Sequence, residues 1–438
     1  MVGLGQMVSA CAVLAVALSV HRSQRGDDSE RQQQRWRRAC GAREMQHLSE
    51  LPVQGMHVLS SAIDACEDRA DSFAVKLWVD GFSDSPKLLE LSCRSSGSSA
   101  EELLEPVRRA VKAERPRLHR RLVSSGAMSK AVVSELRRPP PRRSWKLFTA
   151  LGAEVLAHEA SDALRECGTL YLFEGGSFMW PPVRPGHRVT VPAGQEGSVT
   201  LTTVAIVPRI FSLSRLVTPA DGATVIRQAE PEMKTSAVQA QAAKDTQESR
   251  GRTSTQCLLP ESNISRRLGK EIHTLLRVPD SHGEPANVLR YTEGQHYAAH
   301  NDHFPQQEGD GGRNRLATVF VHLAAPKRGG ATHFPLAVGA GDQVIVPPPE
   351  IVNVRCGGSG LKVPSVEGTA TLFYSLRADG APDPFSLHAG CPPESGTKWA
   401  IANWVWNEAV SAASDPEATD PDASSFLGWL RTVGRINT

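Results

Sequence analysis

The chain has 438 residues, of which 40% are hydrophobic and 22% charged, and carries a formal net charge of +2. That length supports two or three domains with real cores, and the near balance of charge excludes binding to nucleic acid through overall charge. Eight cysteines are scattered without a CxxC pair, which argues against a structural zinc site and leaves open one or two disulfides or free thiols.

The uncharged apolar run MVSACAVLAVALSV (7–20) makes residues 1–24 a signal or anchor segment. The sequon at Asn263 agrees with that reading, so the expected location is the endoplasmic reticulum or secretory pathway, with a membrane anchor at the N-terminus; an organelle transit peptide is the alternative. Residues 25–48 are rich in Arg and Gln and read as a disordered stalk. Residues 49–136 form a small α+β region without a catalytic motif. Within it FAVKLWVDGF (73–82) predicts a strand ending in an Asp-Gly turn, and AEELLEPVRRAVKA (100–113) predicts a helix despite Pro106. RRPPPRR places an extended Pro/Arg linker at 137–145. It closes a stretch, 105–146, with thirteen Lys/Arg against three acids, which reads as a solvated helix face.

Residues 146–206 read as a β-rich accessory unit of short strands split by Gly and Pro. VTPADGATVIRQAE (217–230) starts a helix capped by Thr218 or Asp221, and 233–250 is a polar loop. From 285 to 407 short strands follow one another without helical patterns between them, which points to a sandwich or barrel. The tail 409–438 combines an acidic stretch with SSFLGWLRTVGRI, one short amphipathic helix. The fold class is therefore mainly β with flanking helices (α+β).

HYAAHNDHF (296–304) concentrates three histidines and one aspartate. On a helix, His296 and His300 could grip zinc, but the position that must supply a Glu base is Tyr297. On a strand, His300 and Asp302 share a face about 7 Å apart at their Cα atoms, and His303 points away. One further histidine would complete a 2-His-1-carboxylate set, which binds Fe(II) and leaves positions open. Downstream, DPFSLHAGCPPESGTKWAIANWVWN offers His388 and, ten residues on, Lys398 at a strand start. A lysine aimed into a barrel needs an anion, such as a dicarboxylate.

LRYTEGQHYAAHNDHF, RLATVFVHLAAPKRGGATHFP, FYSLRADGAPDPFSLHAGCP and GTKWAIANW resemble, in that order, the catalytic domain of prolyl 4-hydroxylases, Fe(II)/2-oxoglutarate dioxygenases with a double-stranded β-helix (jelly-roll) core. The resemblance covers about 207–408. It implies His300, Asp302 and His388 as iron ligands. Lys398 would meet the distal carboxylate of 2-oxoglutarate, with Tyr291 and Thr332 hydrogen-bonding it. Tyr297, Arg315 and Trp404 would line the substrate groove, and His296 and His303 would not be ligands. The implied reaction hydroxylates proline in a peptide or protein with O2, releasing succinate and CO2, and ascorbate is an implied helper. No nucleic-acid partner is expected, and nothing in the sequence sets an oligomeric state.

Three features depart from the family. His322 stands where a Tyr is usual, 347–368 resembles an insertion between barrel strands, and 49–206 does not match the peptide-binding domain of the animal collagen enzymes. Hydroxylation of another residue or of a small molecule, and a barrel that binds without turnover, are the alternatives.

Overall fold

The computed structural model describes residues 40, 55–61, 72–79, 86–92, 100–124, 145–183, 185–193, 197–214, 216–236, 251–304, 312–337, 356, 358 and 360–410. The apolar N-terminal run, the stalk apart from Cys40, the Asp80-Gly81 turn, nearly all of the Pro/Arg linker, residues 237–250, the segment 338–355 and the tail beyond 410 lie outside the described residues. No helix among the described residues is long and apolar enough to cross a membrane.

Six strands form the first sheet: β1 (Met56–Ser61), β2 (Ser72–Trp78), β3 (Lys87–Ser92), β4 (Lys146–Phe148), β5 (Glu154–Val155) and β6 (Thr169–Phe173). Their order is β3-β2-β1-β6-β4-β5, antiparallel throughout. The period of two gives this sheet two buried faces. Leu170 and Leu172 of β6 join Leu59, Val75 and Leu77 beneath two helices, α1 (Ala100–Ser124) and α2 (Ala160–Cys167). The helices contribute Leu104, Val107 and Val111, spaced along one face of α1, and Ala160, Ala163 and Leu164 of α2. Tyr171 and Phe173 point the other way and join Met56, Val58, Phe178 and Trp180 in a core shared with the rest of the protein. The expected helix at 100–113 thus runs a further eleven residues, with Pro106 and Pro116 inside it.

The remaining strands are β7 (Arg188–Val191), β8 (Val199–Ala205), β9 (Ile210–Ser214), β10 (Lys234–Thr235), β11 (Thr255–Leu258), β12 (Asn287–Tyr291), β13 (Tyr297–His300), β14 (Arg315–Ala324), β15 (Arg328–Gly329), β16 (Thr332–Phe334), β17 (Leu361–Val363), β18 (Ala370–Tyr374), β19 (His388–Gly390), β20 (Pro393–Ser395) and β21 (Lys398–Trp406). A nine-stranded major sheet has the order β10-β11-β12-β21-β14-β18-β9-β8-β7 and a four-stranded minor sheet the order β13-β19-β16-β17. The sheets touch through Phe373 of β18, which packs against Phe334 of β16 and His388 of β19, making the expected double-stranded β-helix. Two helices flank the major sheet: α3 (Pro219–Ala229), capped by Thr218 as expected, and α4 (Asn263–Leu276), capped by Ser262.

Three groupings read from the sequence are revised. Residues 146–206 are not one accessory unit: β4, β5 and β6 complete the first sheet, whereas β7 and β8 extend the major sheet through β9. The reason is pairing, since short strands between Gly and Pro breaks take their sheet from distant partners that local pattern does not reveal. The loop expected at 233–250 begins with a strand, because Lys234 and Thr235 pair with Gln256 and Thr255. The end of the 347–368 segment is also built into the barrel: β17 pairs with β16, and Cys356 is disulfide-bonded to Cys391 beside the end of β19.

Candidate active site

His300 closes β13 and His388 opens β19, and the antiparallel register sets them directly opposite each other. Their rings lie 4.3 Å apart between centroids. The strand stops at His300, so Asp302 arrives from the bend that follows rather than from continued alternation. Its Oδ1 is 3.6 Å from His300 Nε2 and its Oδ2 is 3.6 Å from His388 Nε2. One ligand atom from each residue falls within 4.8 Å of the others, the single such group among the described residues. His296 and His303 are outside it.

The hydrogen bonds fix the tautomers. His300 Nδ1 donates to Ala298 O and His388 Nδ1 donates to Ser386 O, each at 2.9 Å. Each ring therefore turns an Nε2 lone pair toward the centre. Burial and the neighbouring His388 push the His300 imidazole down to about 3, so it is a neutral base at physiological pH. Burial alone would raise the Asp302 carboxyl. His388, His300 and the hydroxyl of Thr318, which donates to Oδ2 at 2.6 Å, outweigh it and hold the group below the usual carboxylate range. Two imidazoles and one carboxylate, converging with their other atoms already paired, suit a divalent first-row metal such as Fe(II).

Beyond the triad the major sheet supplies a second polar centre. Lys398, the first residue of β21, is 1% exposed, and its Nζ donates to Gly330 O at 2.8 Å. Desolvation pushes its ammonium down to about 7. The Nζ lies 5.0 Å from the Phe320 ring centre and 5.6 Å from that of Tyr291. The Tyr291 ring neighbours the ammonium, while burial raises its phenol and Arg252 and Ser254 pair with it. The hydroxyl of Thr332 is buried without a hydrogen-bond partner among the described residues. A buried cation held at Gly330 O and an unpartnered hydroxyl two residues further on at Thr332 fit a carboxylate that would satisfy both.

The three remaining candidates surround the triad. Tyr297 stacks on His300 at 3.6 Å, with the guanidinium of Arg252 4.5 Å from its ring centre. Arg315 pairs with Glu284, donates to Asp302 O at 3.3 Å, and lies 4.2 Å from Trp404 and 4.9 Å from Phe304. Trp404 is partly exposed, and Phe304 stacks on Trp406.

Sequence reasoning missed Thr318, Gly330 and Arg252. Thr318 had a signal: in RLATVFVHLA, positions 318 and 322 are polar residues four apart, on one face of an otherwise apolar strand. Gly330 is required at φ +72°, and a Cβ there would sit 2.6 Å from Pro326 Cγ.

Residues 286–406 match the model of the 2OG-Fe(II) oxygenase superfamily. The chain is 31% identical over 230 residues to probable prolyl 4-hydroxylase 4 of Arabidopsis thaliana, covering 52% of this chain and 77% of that protein. It is 32% identical over 201 residues to prolyl 4-hydroxylase 2 of the same plant, covering 45% and 67%. Among solved structures, the viral collagen prolyl hydroxylase of Paramecium Bursaria Chlorella virus-1 is 20% identical, covers 45% of this chain and 95% of its own, and has a TM-score of 0.34.

Proposed function

The chain belongs to the prolyl 4-hydroxylase family of Fe(II)- and 2-oxoglutarate-dependent oxygenases, and we propose that it hydroxylates peptidyl proline with iron held by His300, Asp302 and His388. The observation that carries the assignment is the cross-strand register of His300 and His388, with Asp302 closing a group within 4.8 Å. Held there, Fe(II) and 2-oxoglutarate would supply, with O2, the oxidative decarboxylation that yields succinate and CO2; one atom of the O2 ends in succinate and the other in the hydroxyl on the substrate carbon.

The protein's part is binding, orientation and exclusion of water. Lys398 anchors the distal carboxylate, with Thr332 and Tyr291 alongside it, which fixes the opposite end of the co-substrate toward the triad. Phe320 and the Tyr291 ring flank the anchoring ammonium with apolar surface. Tyr297, Arg315 and Trp404 line the groove that takes the peptide. The Glu284 pair and the Trp404 ring hold the Arg315 fork in place, so little side-chain freedom is lost on binding. The disulfides Cys40–Cys167 and Cys356–Cys391 support an oxidising compartment, in keeping with the secretory pathway.

The test is succinate release by the full chain with Fe(II), 2-oxoglutarate, O2 and ascorbate. Proline-rich peptides are compared with peptides carrying Ala in place of Pro. Proline-dependent release that disappears in His300→Ala supports the reading. Release indifferent to proline moves the search to another substrate, and no release from folded, iron-loaded protein overturns the assignment.

A further inference from the structure

The inner face of β14 carries Thr318, Phe320 and His322 in sequence, two residues apart and therefore on one side of the strand. Thr318 bonds the Asp302 carboxylate, Phe320 lies beneath the Lys398 ammonium, and His322 comes next along the strand, away from the metal triad. Register agrees: His322 is directly opposite Ala400, two residues from Lys398 on β21 and so on the same face. Among the described residues Lys398 is also the one charged group acting on the His322 ring.

His322 is 1% exposed. Its Nε2 is 3.0 Å from Thr371 Oγ1, and its Nδ1 is buried without a partner among the described residues. A buried imidazole nitrogen left unpaired beside a buried ammonium is costly unless something else completes it. Burial and Lys398 push its imidazole down to about 3, so the ring is neutral and one of its nitrogens carries hydrogen. If Thr371 donates to Nε2, that hydrogen is on Nδ1, and a carboxylate, which only accepts, selects this arrangement.

We propose that His322 is a ligand of the distal carboxylate of 2-oxoglutarate, donating a neutral Nδ1–H beside the Lys398 ammonium, with Thr371 fixing the tautomer. This rests on the reading of the chain as a 2-oxoglutarate enzyme. The pocket then recognises the carboxylate by one cation and neutral donors, and the imidazole stays uncharged.

The test is equilibrium binding to the full chain loaded with Mn(II) in place of iron, by calorimetry, so that activity plays no part. Two 2-oxo acids are compared: 2-oxoglutarate and 2-oxobutyrate, which lacks the distal carboxylate. His322→Phe weakens 2-oxoglutarate about tenfold, the loss expected for one hydrogen bond to a charged group, and leaves 2-oxobutyrate within about twofold. His322→Asn, which keeps a donor, recovers part of the loss. Equal weakening of both acids, or of neither, overturns the proposal, as does His322→Asn behaving like His322→Phe. If His322→Phe fails to fold, His322→Asn and His322→Leu are compared instead, and equal affinity of that pair for 2-oxoglutarate overturns it. Wild-type protein that binds Mn(II) but neither acid refutes the enzyme reading itself, a result distinct from a variant-specific failure.

Discussion

Lys398→Met separates what the site needs from what the fold needs. In the ligand-free protein the ammonium is buried, with one carbonyl as its hydrogen-bond partner, and is pushed down to about 7 from an ordinary value of 10.5. A base whose folded value is lowered binds fewer protons folded than unfolded, so stability rises with pH between the two values. The cost is fully present below about pH 7, where it amounts to about 5 kcal/mol at roughly 1.4 kcal/mol per pH unit, and it disappears as pH approaches about 10.5. Methionine has similar length and no charge. It removes one of two donors to Gly330 O, the Ser365 hydroxyl remaining at 3.0 Å, a loss of ~1 kcal/mol, so the net gain at pH 6 is about 4 kcal/mol. Denaturant unfolding of both ligand-free proteins at pH 6 and pH 9.5 measures this. The variant is the more stable at pH 6, and its advantage shrinks at pH 9.5, while its affinity for 2-oxoglutarate falls at least a hundredfold. A variant less stable than wild type at pH 6, or an advantage that does not change with pH, refutes the reasoning.

Thr318→Val removes the hydroxyl that donates to Asp302 Oδ2, and Mn(II) affinity measured by titration falls about tenfold, as other losses of a ligand's supporting partner do. Because that hydroxyl helps hold the carboxyl low, the acid limb of metal binding in Thr318→Val shifts to higher pH; an unshifted limb refutes the role. Gly330→Ala forces a side chain onto a φ of +72° and into Pro326, and raises the KM for 2-oxoglutarate several-fold by displacing the carbonyl that holds Lys398, with a smaller change in KM for peptide. Gly175→Ala would put a Cβ 2.3 Å from Ala378 O, and thermal unfolding shows a loss of ~1–3 kcal/mol from the enforced shift.

The site was more legible in the sequence than the fold around it. His300, Asp302, His388 and Lys398 could be singled out because their residue types are costly inside a barrel without a partner, and that cost is visible in a string of letters. Thr332 came only with the resemblance to the prolyl 4-hydroxylases. Gly330 and Arg252 act through backbone conformation and a ring face that only three-dimensional neighbours define. The sheet membership of residues 146–206 was hidden for the same reason. TLYLF and VTLTTVA are equally good strands, yet one pairs with residues 109 to 117 positions earlier in the first sheet and the other with the strand that follows it.

That first sheet bears on the site although it contributes no residue to it. The chain between Tyr374 and His388 must deliver the candidate ligand His388 in register with β13, and it carries Arg377, Asp379 and Asp383 in buried positions. Burial pushes the Asp383 carboxyl up to about 6, and the same residue accepts from Phe385 N to shape the turn just before His388. Gly55 and Gly175, at the edges of β1 and β6, come so close to this segment that a Cβ on Gly55 would lie 2.7 Å from Asp379 N and one on Gly175 against Ala378 O. Beside them Glu174 is bonded to His57 at 2.7 Å and to Arg115 of α1. Trp180 N donates to the hydroxyl of Tyr374, and its indole donates to Leu275 O. The turn that positions His388 is thus clamped between the first sheet and the barrel. Loosening the clamp shifts one of the three candidate ligands, and a displacement of about 1 Å at a catalytic group is enough to lower rates about a hundredfold. On this account the N-terminal half is a brace for the metal site, and Gly175→Ala lowers Mn(II) affinity as well as stability. Unchanged metal affinity in a measurably destabilised Gly175→Ala protein would show instead that the two halves share a core without sharing the site.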